Sequence, residues 1–186
     1  MNKRSNLKHA HSAGKSQGLF LGEDIKSTAL YGGLGDCYRY KLCRVWDKTK
    51  PRIMWIMMNP SVATEKEDDR TVAKCQRLSR KWGYGSMNVG NSFAYRCTDQ
   101  KRLLEVSDPV GKENLEHLLK MAQESDCVLL AYGTPQAKML QAQGTKVAKF
   151  LADAGINLYA LKLSTKNRPC HPLYLSETLK PIPFVP

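Results

Sequence analysis

The sequence of 186 residues lacks the features that place a protein in or beyond a membrane. No stretch approaches the roughly 18 consecutive apolar residues of a membrane-spanning helix, and the first residues lack the apolar core of a signal peptide. We therefore expect a cytoplasmic protein without a membrane partner. Internal repeats and low-complexity segments are also missing, which excludes a repeat architecture.

The cysteines lack the spacing of a metal site or of a disulfide framework. No CxxC pair occurs, and most of the cysteines lie inside apolar segments. We therefore expect buried thiols instead of disulfides or zinc ligands, and the sequence predicts neither a metal nor a cofactor. The six residues are Cys37, Cys43, Cys75, Cys97, Cys127 and Cys170.

Acidic residues are scarce, with 17 Asp and Glu against 29 Lys and Arg and a formal net charge of +12. This balance predicts a polyanionic partner, although sign alone does not separate DNA from RNA or from an anionic membrane surface. The length favours a single domain, which we place at residues 19–186. Residues 1–18 are basic without an apolar face and predict a flexible arm, which either contacts nucleic acid or is an idle tail.

Hydrophobic periodicity predicts strands that alternate with helices. The apolar run 53–58 is typical of a buried central strand, and the aromatic and β-branched run 37–46 predicts a hairpin before it. The order then predicts a helix near 72–82, a strand at 86–94, a helix at 111–124, a strand at 127–132, a helix at 135–154 and a strand at 157–163. This order indicates an α/β fold with three layers, α/β/α, and a mainly parallel central sheet.

Ligand sites of such sheets lie beyond the carboxyl ends of the strands, and two of the predicted loops there carry amides. Asn59 follows the central strand and is held by Pro60, so its amide can orient a water, although an Asn-Pro turn is also common without function. Asn91 follows the next strand and can form two hydrogen bonds to a base edge. Phe93 and Tyr95 either stack on a base or belong to the core.

Later loops add charged groups and a histidine. His171 lies beside the basic residues Lys162, Lys166 and Arg168, which bind phosphates or form a solvated face. The acidic pair Asp68 and Asp69 either supplies a catalytic carboxylate or provides the negative charge favoured in the first turn of a helix.

The order of four short motifs resembles that of the uracil-DNA glycosylase superfamily. These motifs are MMNPS at 57–61, VGNSF at 89–93, VLLAYGTPQAK at 128–138 and HPLYLS at 171–176, within residues 53–179. The sequence is also similar to a bacterial and phage group that shares an NPS, DD, NxFA and HPLYL pattern.

The resemblance implies a DNA glycosylase that flips a nucleotide out of duplex or single-stranded DNA and hydrolyses its N-glycosidic bond. Asn59 would position the water, and His171 would donate a hydrogen bond to the carbonyl oxygen of the departing base. Asn91 would read the edge of the base. Leu173 or Tyr174 would fill the vacated stack.

Two departures from the family pattern bear on the substrate. Uracil-specific members have Asp at the position of Asn59 and a bulky aromatic residue at that of Ser61. Ser61 leaves room at C5, so the resemblance implies excision of a mismatched or C5-substituted pyrimidine, in repair or in defence against phage with modified DNA. Its alternative role is to cap the following turn. Asp68 or Asp69 would serve as the missing base or bind a hydroxyl of the modified base.

Two other functions remain open at this point. A nucleic-acid-binding module without catalysis would keep the basic surface and lack Asp at position 59. A hydrolase of free modified nucleotides would use the same pocket, but a small ligand needs only a local cluster of positive residues and not a net charge of +12. No obligate protein partner is predicted.

We expect the affinity for DNA to fall steeply with salt. If basic residues neutralise phosphates, log K is linear in log salt concentration, with a slope of about −0.9 per neutralised phosphate. Fluorescence anisotropy between about 50 and 200 mM salt measures this slope. Removal of residues 1–18 should lower the affinity modestly, and an affinity independent of salt contradicts the prediction.

Overall fold

A computed structural model describes residues 18–186, so the predicted basic arm lies outside the described residues except for Gly18. The strands are β1 (Leu19–Phe20), β2 (Lys26–Gly32), β3 (Tyr38–Val45), β4 (Arg52–Met57), β5 (Glu67–Asp68), β6 (Ser86–Asn91), β7 (Cys127–Leu130), β8 (Leu158–Ala160) and β9 (Ile182–Phe184). The helices are α1 (Arg70–Lys81), α2 (Asn114–Gln123) and α3 (Lys138–Asp153). Short 3-10 turns span Leu34–Asp36, Gln100–Leu104 and Pro172–Tyr174.

Seven strands form one sheet in the order β2-β3-β6-β4-β7-β8-β9. The four central strands, β6, β4, β7 and β8, pair in parallel. The outer pairings β2–β3, β3–β6 and β8–β9 are antiparallel. The α/β class is therefore confirmed, but the sheet as a whole is mixed, because a hairpin and a C-terminal strand extend the parallel centre on both sides.

The central strand β4 packs against helices on both faces of the sheet. Its side chains alternate, so that Met54 and Ile56 join α2 and α3 in one buried cluster while Ile53 and Trp55 join α1 in another. Gly90 of β6 lets α2 approach, because a Cβ there would lie 2.4 Å from Leu118 Cδ2. The three predicted helices are confirmed, each within a few residues of its expected bounds.

The hairpin before β4 consists of β2 and β3. The sequence pattern located β3 but not β2, whose side chains are exposed or half-buried at an edge of the sheet. The pairing contains an irregularity: Leu30 is opposite Lys41 and Tyr31 is opposite Arg39, which makes Tyr40 the extra residue of a β-bulge.

A buried ion pair ties β3 to the segment before α1. Arg44 is fully buried, and its Nε and Nη2 donate to Asp68 Oδ1 at 3.1 and 2.6 Å. The guanidinium also donates to Ser27 Oγ and to the Thr64 carbonyl. The charge of Arg44 is therefore matched by a carboxylate and a full set of acceptors. Among the described residues, no helix is long and apolar enough to cross a membrane.

We expect Asp68→Asn to lower the free energy of unfolding by about 3–5 kcal/mol, because it leaves Arg44 buried without its counter-charge. The neighbouring Asp69→Asn is the matched control. Asp69 is the N-cap of α1 and accepts from the Val72 N–H at 2.8 Å, a role that asparagine also fills. Urea denaturation measures both variants, and equal losses contradict the prediction.

Candidate functional site

The carboxyl ends of β4 and β6 are held together beyond the last residues of the two strands. Met57 is opposite Asn91 in the parallel pairing. The chain then continues the contact, since the Ser92 N–H donates to the Met57 carbonyl at 2.8 Å and the Phe93 N–H to the Met58 carbonyl at 2.9 Å. This pairing brings the two loops with the predicted amides side by side.

A cavity of about 140 Å³ opens at this edge, and five of the predicted site residues line it: Asn59, Ser61, Asp69, Asn91 and His171. They come from four separate segments of the chain, as expected for the loops beyond a parallel sheet. The remaining lining residues are Arg39, Met57, Met58, Thr71, Val72, Cys97, Thr98 and Gln100. The volume is below the roughly 300–1,000 Å³ of pockets for drug-sized ligands, so the cavity suits a single ring or a similar fragment.

A wider groove of about 520 Å³ adjoins the cavity, because Gln100 and His171 line both spaces. The groove is further lined by the segment after β7 and by the loop that follows His171. His171 therefore stands at the mouth between the two spaces.

Asn59 presents an acceptor to the cavity. Its Nδ2 donates to the Cys97 carbonyl at 2.7 Å and to the Pro60 carbonyl at 3.0 Å, so both amide hydrogens are used. The Oδ1 atom accepts no hydrogen bond from the described residues. A side chain fixed in this way can accept a hydrogen bond from a bound water but cannot donate one to it.

Asn91 has a buried amide nitrogen, Nδ2, without a partner among the described residues. The residue as a whole is almost fully buried. Its backbone is fixed by the fully buried Asn114 of α2, whose Nδ2 donates to the Asn91 carbonyl at 2.9 Å. An unpaired donor in a buried position is costly, which is expected where a ligand supplies the acceptor.

His171 is held as a neutral imidazole. Its Nδ1 accepts from the Leu173 N–H at 3.3 Å, which leaves Nε2 as the protonated nitrogen. Burial lowers the pKa of His171 below its ordinary value, although Asp69 opposes this effect. Gly133, which has a φ of 73°, lies against the Cβ and backbone of His171, and a Cβ at Gly133 would be 3.1 Å from His171 Cβ.

Helix α1 holds the loop that carries His171, a role that the sequence analysis missed. Lys74 Nζ donates to the carbonyls of Leu173 and Leu175 at 3.0 and 2.5 Å. Arg77 pairs with the Glu177 carboxylate, and Lys81 donates to its carbonyl. Lys74, Arg77 and Lys81 lie on one face of the helix. Their spacing is visible in the sequence, but the same spacing is typical of a solvated helix surface.

The two adjacent carboxylates have different surroundings. Asp68 faces Arg44 and does not line the cavity, whereas Asp69 lines it while capping α1. The capping role considered for Ser61 is not seen: its Oγ donates to Thr98 Oγ1 at 3.3 Å, and no backbone N–H of the described residues donates to it.

The residues predicted to stack on a base and those predicted to fill the vacated stack differ in their exposure. Phe93 and Tyr95 are buried in the hydrophobic cluster and do not line the cavity, which corresponds to the alternative reading of these residues as core. Tyr174 is 86% exposed and lines the groove, while Leu173 is half-buried. Tyr174 is therefore the better placed of the two to enter a base stack.

The basic segment Lys162, Lys166 and Arg168 follows β8. Lys162 and Lys166 are exposed, and Arg168 is half-buried. Burial raises the pKa of Tyr132 in the groove to about 12, and the charge of Arg168 opposes this rise. The segment folds back on itself, because the Ser164 N–H donates to the Arg168 carbonyl at 2.8 Å.

Cysteine and metal chemistry find no support among residues 18–186. The six cysteines are free, and burial raises the pKa of the Cys97 thiol to about 12, so the thiol that lines the cavity is not a thiolate near neutral pH. Within the same residues no cluster of three metal-ligating side chains occurs.

Comparison with known proteins gives one match. A family model described as "Protein of unknown function (DUF1643)" matches residues 39–173. No curated protein and no solved structure matches the chain. The matched range includes every residue that lines the cavity.

We expect His171 to remain neutral with its proton on Nε2. In the unfolded chain His171 is protonated near pH 6.5, whereas in the folded protein its pKa is lower. The contribution of the neutral His171 to stability is therefore full above pH 6.5 and is lost as the pH falls toward the pKa of the folded protein. NMR at ¹⁵N reports the tautomer. Melting temperatures between about pH 7.5 and 5.5 should fall less for His171→Gln than for the parent. His117→Gln, which removes an imidazole outside the cavity, is the control, and a protonated Nδ1 contradicts the prediction.

Proposed function

The chain belongs to DUF1643, a family described as of unknown function, and we propose that it is a DNA glycosylase. It would act on a mismatched or C5-substituted pyrimidine flipped out of the DNA stack. The observation that carries this proposal is the meeting of Asn59, Asn91 and His171 around one small cavity at the carboxyl ends of β4 and β6. The motifs that resemble the uracil-DNA glycosylase superfamily, the parallel centre of the sheet and its helices on both faces support it.

The hydrogen-bonding groups of the cavity suit a flipped pyrimidine. Asn91 Nδ2 offers a hydrogen bond to an acceptor on the base edge, and His171 Nε2–H offers one to a carbonyl oxygen. Asn59 Oδ1 accepts from a water. Ser61 is a small residue in the wall, where its size leaves room for a substituent at C5.

The proposed reaction is hydrolysis of the N-glycosidic bond. The C1′–N bond breaks, its electron pair leaves with the base, and the water oxygen held by Asn59 bonds to C1′. The Asp69 carboxylate takes the proton of that water, because it lines the cavity while Asp68 is committed to Arg44. The neutral His171 donates a hydrogen bond to the base carbonyl, where negative charge develops as the bond breaks.

The groove beside the cavity provides room for the DNA strand. A flipped nucleotide would pass His171 into the cavity, while its sugar and the flanking phosphates stay in the groove. Tyr174 would take the place of the extruded base. Lys162, Lys166 and Arg168 would bind phosphates by charge.

The first test is excision by the whole chain. Single-stranded and duplex DNA with uracil, a G·T mismatch or a 5-hydroxymethyl or 5-carboxyl pyrimidine is incubated with the protein, and abasic sites are detected by alkali cleavage. We expect abasic sites in at least one substrate. DNA binding without excision of any of them indicates a binding module, and release of base from free nucleotides alone indicates a nucleotide hydrolase. Both outcomes overturn the proposal.

We expect Asn59→Ala and Asp69→Asn to lower the single-turnover rate by roughly 10² or more, the scale of losing one positioned group, without lowering DNA affinity. Asp99→Asn is the matched control for Asp69→Asn. Asp99 also caps a helical turn, where it accepts from the Lys101 N–H at 2.9 Å, but it does not line the cavity. Parental rates in Asn59→Ala and Asp69→Asn contradict the proposed site.

A further inference from the structure

We propose that Arg39 forms a binding site for an anionic substituent, a carboxylate or a phosphate, on the ring that occupies the cavity. This inference rests on the proposed function for the identity of the ring. The anion site itself rests on the surroundings of Arg39 in the free protein.

Arg39 is a buried cation whose hydrogen bonds are incomplete. Its side chain lines the cavity and the residue is only 2% exposed. Nη1 donates to the Ala63 carbonyl, whereas Nε has no partner among the described residues. No carboxylate in the described part of the chain forms an ion pair with it.

Arg44, on the same strand, has a structural role and differs from Arg39 in its partners. Its guanidinium is equally buried, but it is paired with Asp68 and surrounded by acceptors. Burial lowers the pKa of Arg39 to about 10, and Asp69 compensates only in part from a longer range. A buried charge without a partner destabilises a fold, so its presence beside a cavity indicates that a ligand supplies the counter-charge.

The β-bulge at Tyr40 explains how both arginines come to face the same segment. Residues five apart on a regular strand point to opposite faces of the sheet. The extra residue places Arg39 and Arg44 on the same face of the sheet. Their guanidinium groups then donate to neighbouring carbonyls, Arg39 to that of Ala63 and Arg44 to that of Thr64. Bulges of this kind re-aim side chains and are common beside functional sites.

Burial indicates that Arg39 belongs to the deep end of the cavity. Like the lining residues Met58 and Asn91 it is buried, whereas His171 and Gln100 are more exposed and also line the open groove. A base that enters from the groove keeps its sugar-bearing nitrogen near His171. Its far edge, with the substituents on C4 and C5, then points toward Arg39 and Asn91.

The test uses free ligands and the full chain. Isothermal titration calorimetry compares uracil-5-carboxylate with thymine, its neutral counterpart, and with inorganic phosphate. We expect the carboxylate to bind roughly 10- to 100-fold more tightly than thymine, the range of one charge-assisted hydrogen bond. A tighter binding of phosphate that also depends on Arg39 identifies phosphate as the source of the anion. Equal affinities for the carboxylate and thymine, without phosphate binding, overturn the proposal.

Arg39→Gln should remove the preference for the anion, whereas Arg96→Gln should keep it. Arg96 is a matched control because it lies near Arg39 and loses the same charge, but it does not line the cavity. The melting temperature of Arg39→Gln should equal or exceed that of the parent, since a buried charge that Asp69 compensates only in part is removed. A lower melting temperature together with a retained preference assigns Arg39 a structural role and overturns the proposal.

If Arg39→Gln does not fold, Arg39→Lys provides the test. It keeps the positive charge but loses the planar guanidinium, so it should weaken the preference for the carboxylate over thymine. An Arg39→Lys variant with the full preference of the parent contradicts recognition by the guanidinium. Because these measurements need no excision, a preference that depends on Arg39 stands even if no DNA substrate is cleaved. If the carboxylate is not preferred over thymine, the anion site is wrong, and the excision assay still tests the proposed glycosylase function independently.

Discussion

The parallel pairing of β4 with β6 is the constraint on which the site depends. It continues past the strand ends through the hydrogen bonds from Ser92 to Met57 and from Phe93 to Met58. Backbone groups buried there must be paired, so the two loops cannot separate without losing these bonds. The amides of Asn59 and Asn91 are therefore fixed by the core of the sheet and do not depend on flexible loops for their positions.

The two arginines of β3 differ in their partners, and the proposed anion site depends on that difference. Arg44 has its carboxylate inside the protein, and the pair joins the hairpin to the start of α1. Arg39 lines the cavity and has no carboxylate within ion-pair distance in the part of the chain that the structure describes. The Nδ2 of Asn91, which lines the same cavity, is also unpaired, whereas the other buried unpaired side-chain atoms of the described residues belong to Asn88, Ser92, Arg96 and Asn114, which do not line it.

The elements and loops that could be predicted from the sequence are those that hydrophobic periodicity and loop position determine. The apolar run of β4, the three helices and the loops with Asn59, Asn91 and His171 follow from local patterns, and topology then brings those loops together. Arg39 could not be predicted, because strand alternation assigns it and Arg44 to opposite faces and only the bulge at Tyr40 reverses this. The aromatic residues after Asn91 were ambiguous, since burial and base stacking select the same residue types.

Surface charge and buried charge would act at different steps of recognition. The exposed lysines after β8 would attract phosphates through water, where salt screens the interaction over about 10 Å at 0.1 M ionic strength. Arg39 lies inside the protein, where screening is much weaker, so its attraction for an anion persists after the encounter complex has formed. Encounter with DNA would then depend on salt, while selection among bases in the cavity would not. In the proposed function, a basic surface would provide the first step for any nucleic acid, and only the few groups around the cavity would provide the second.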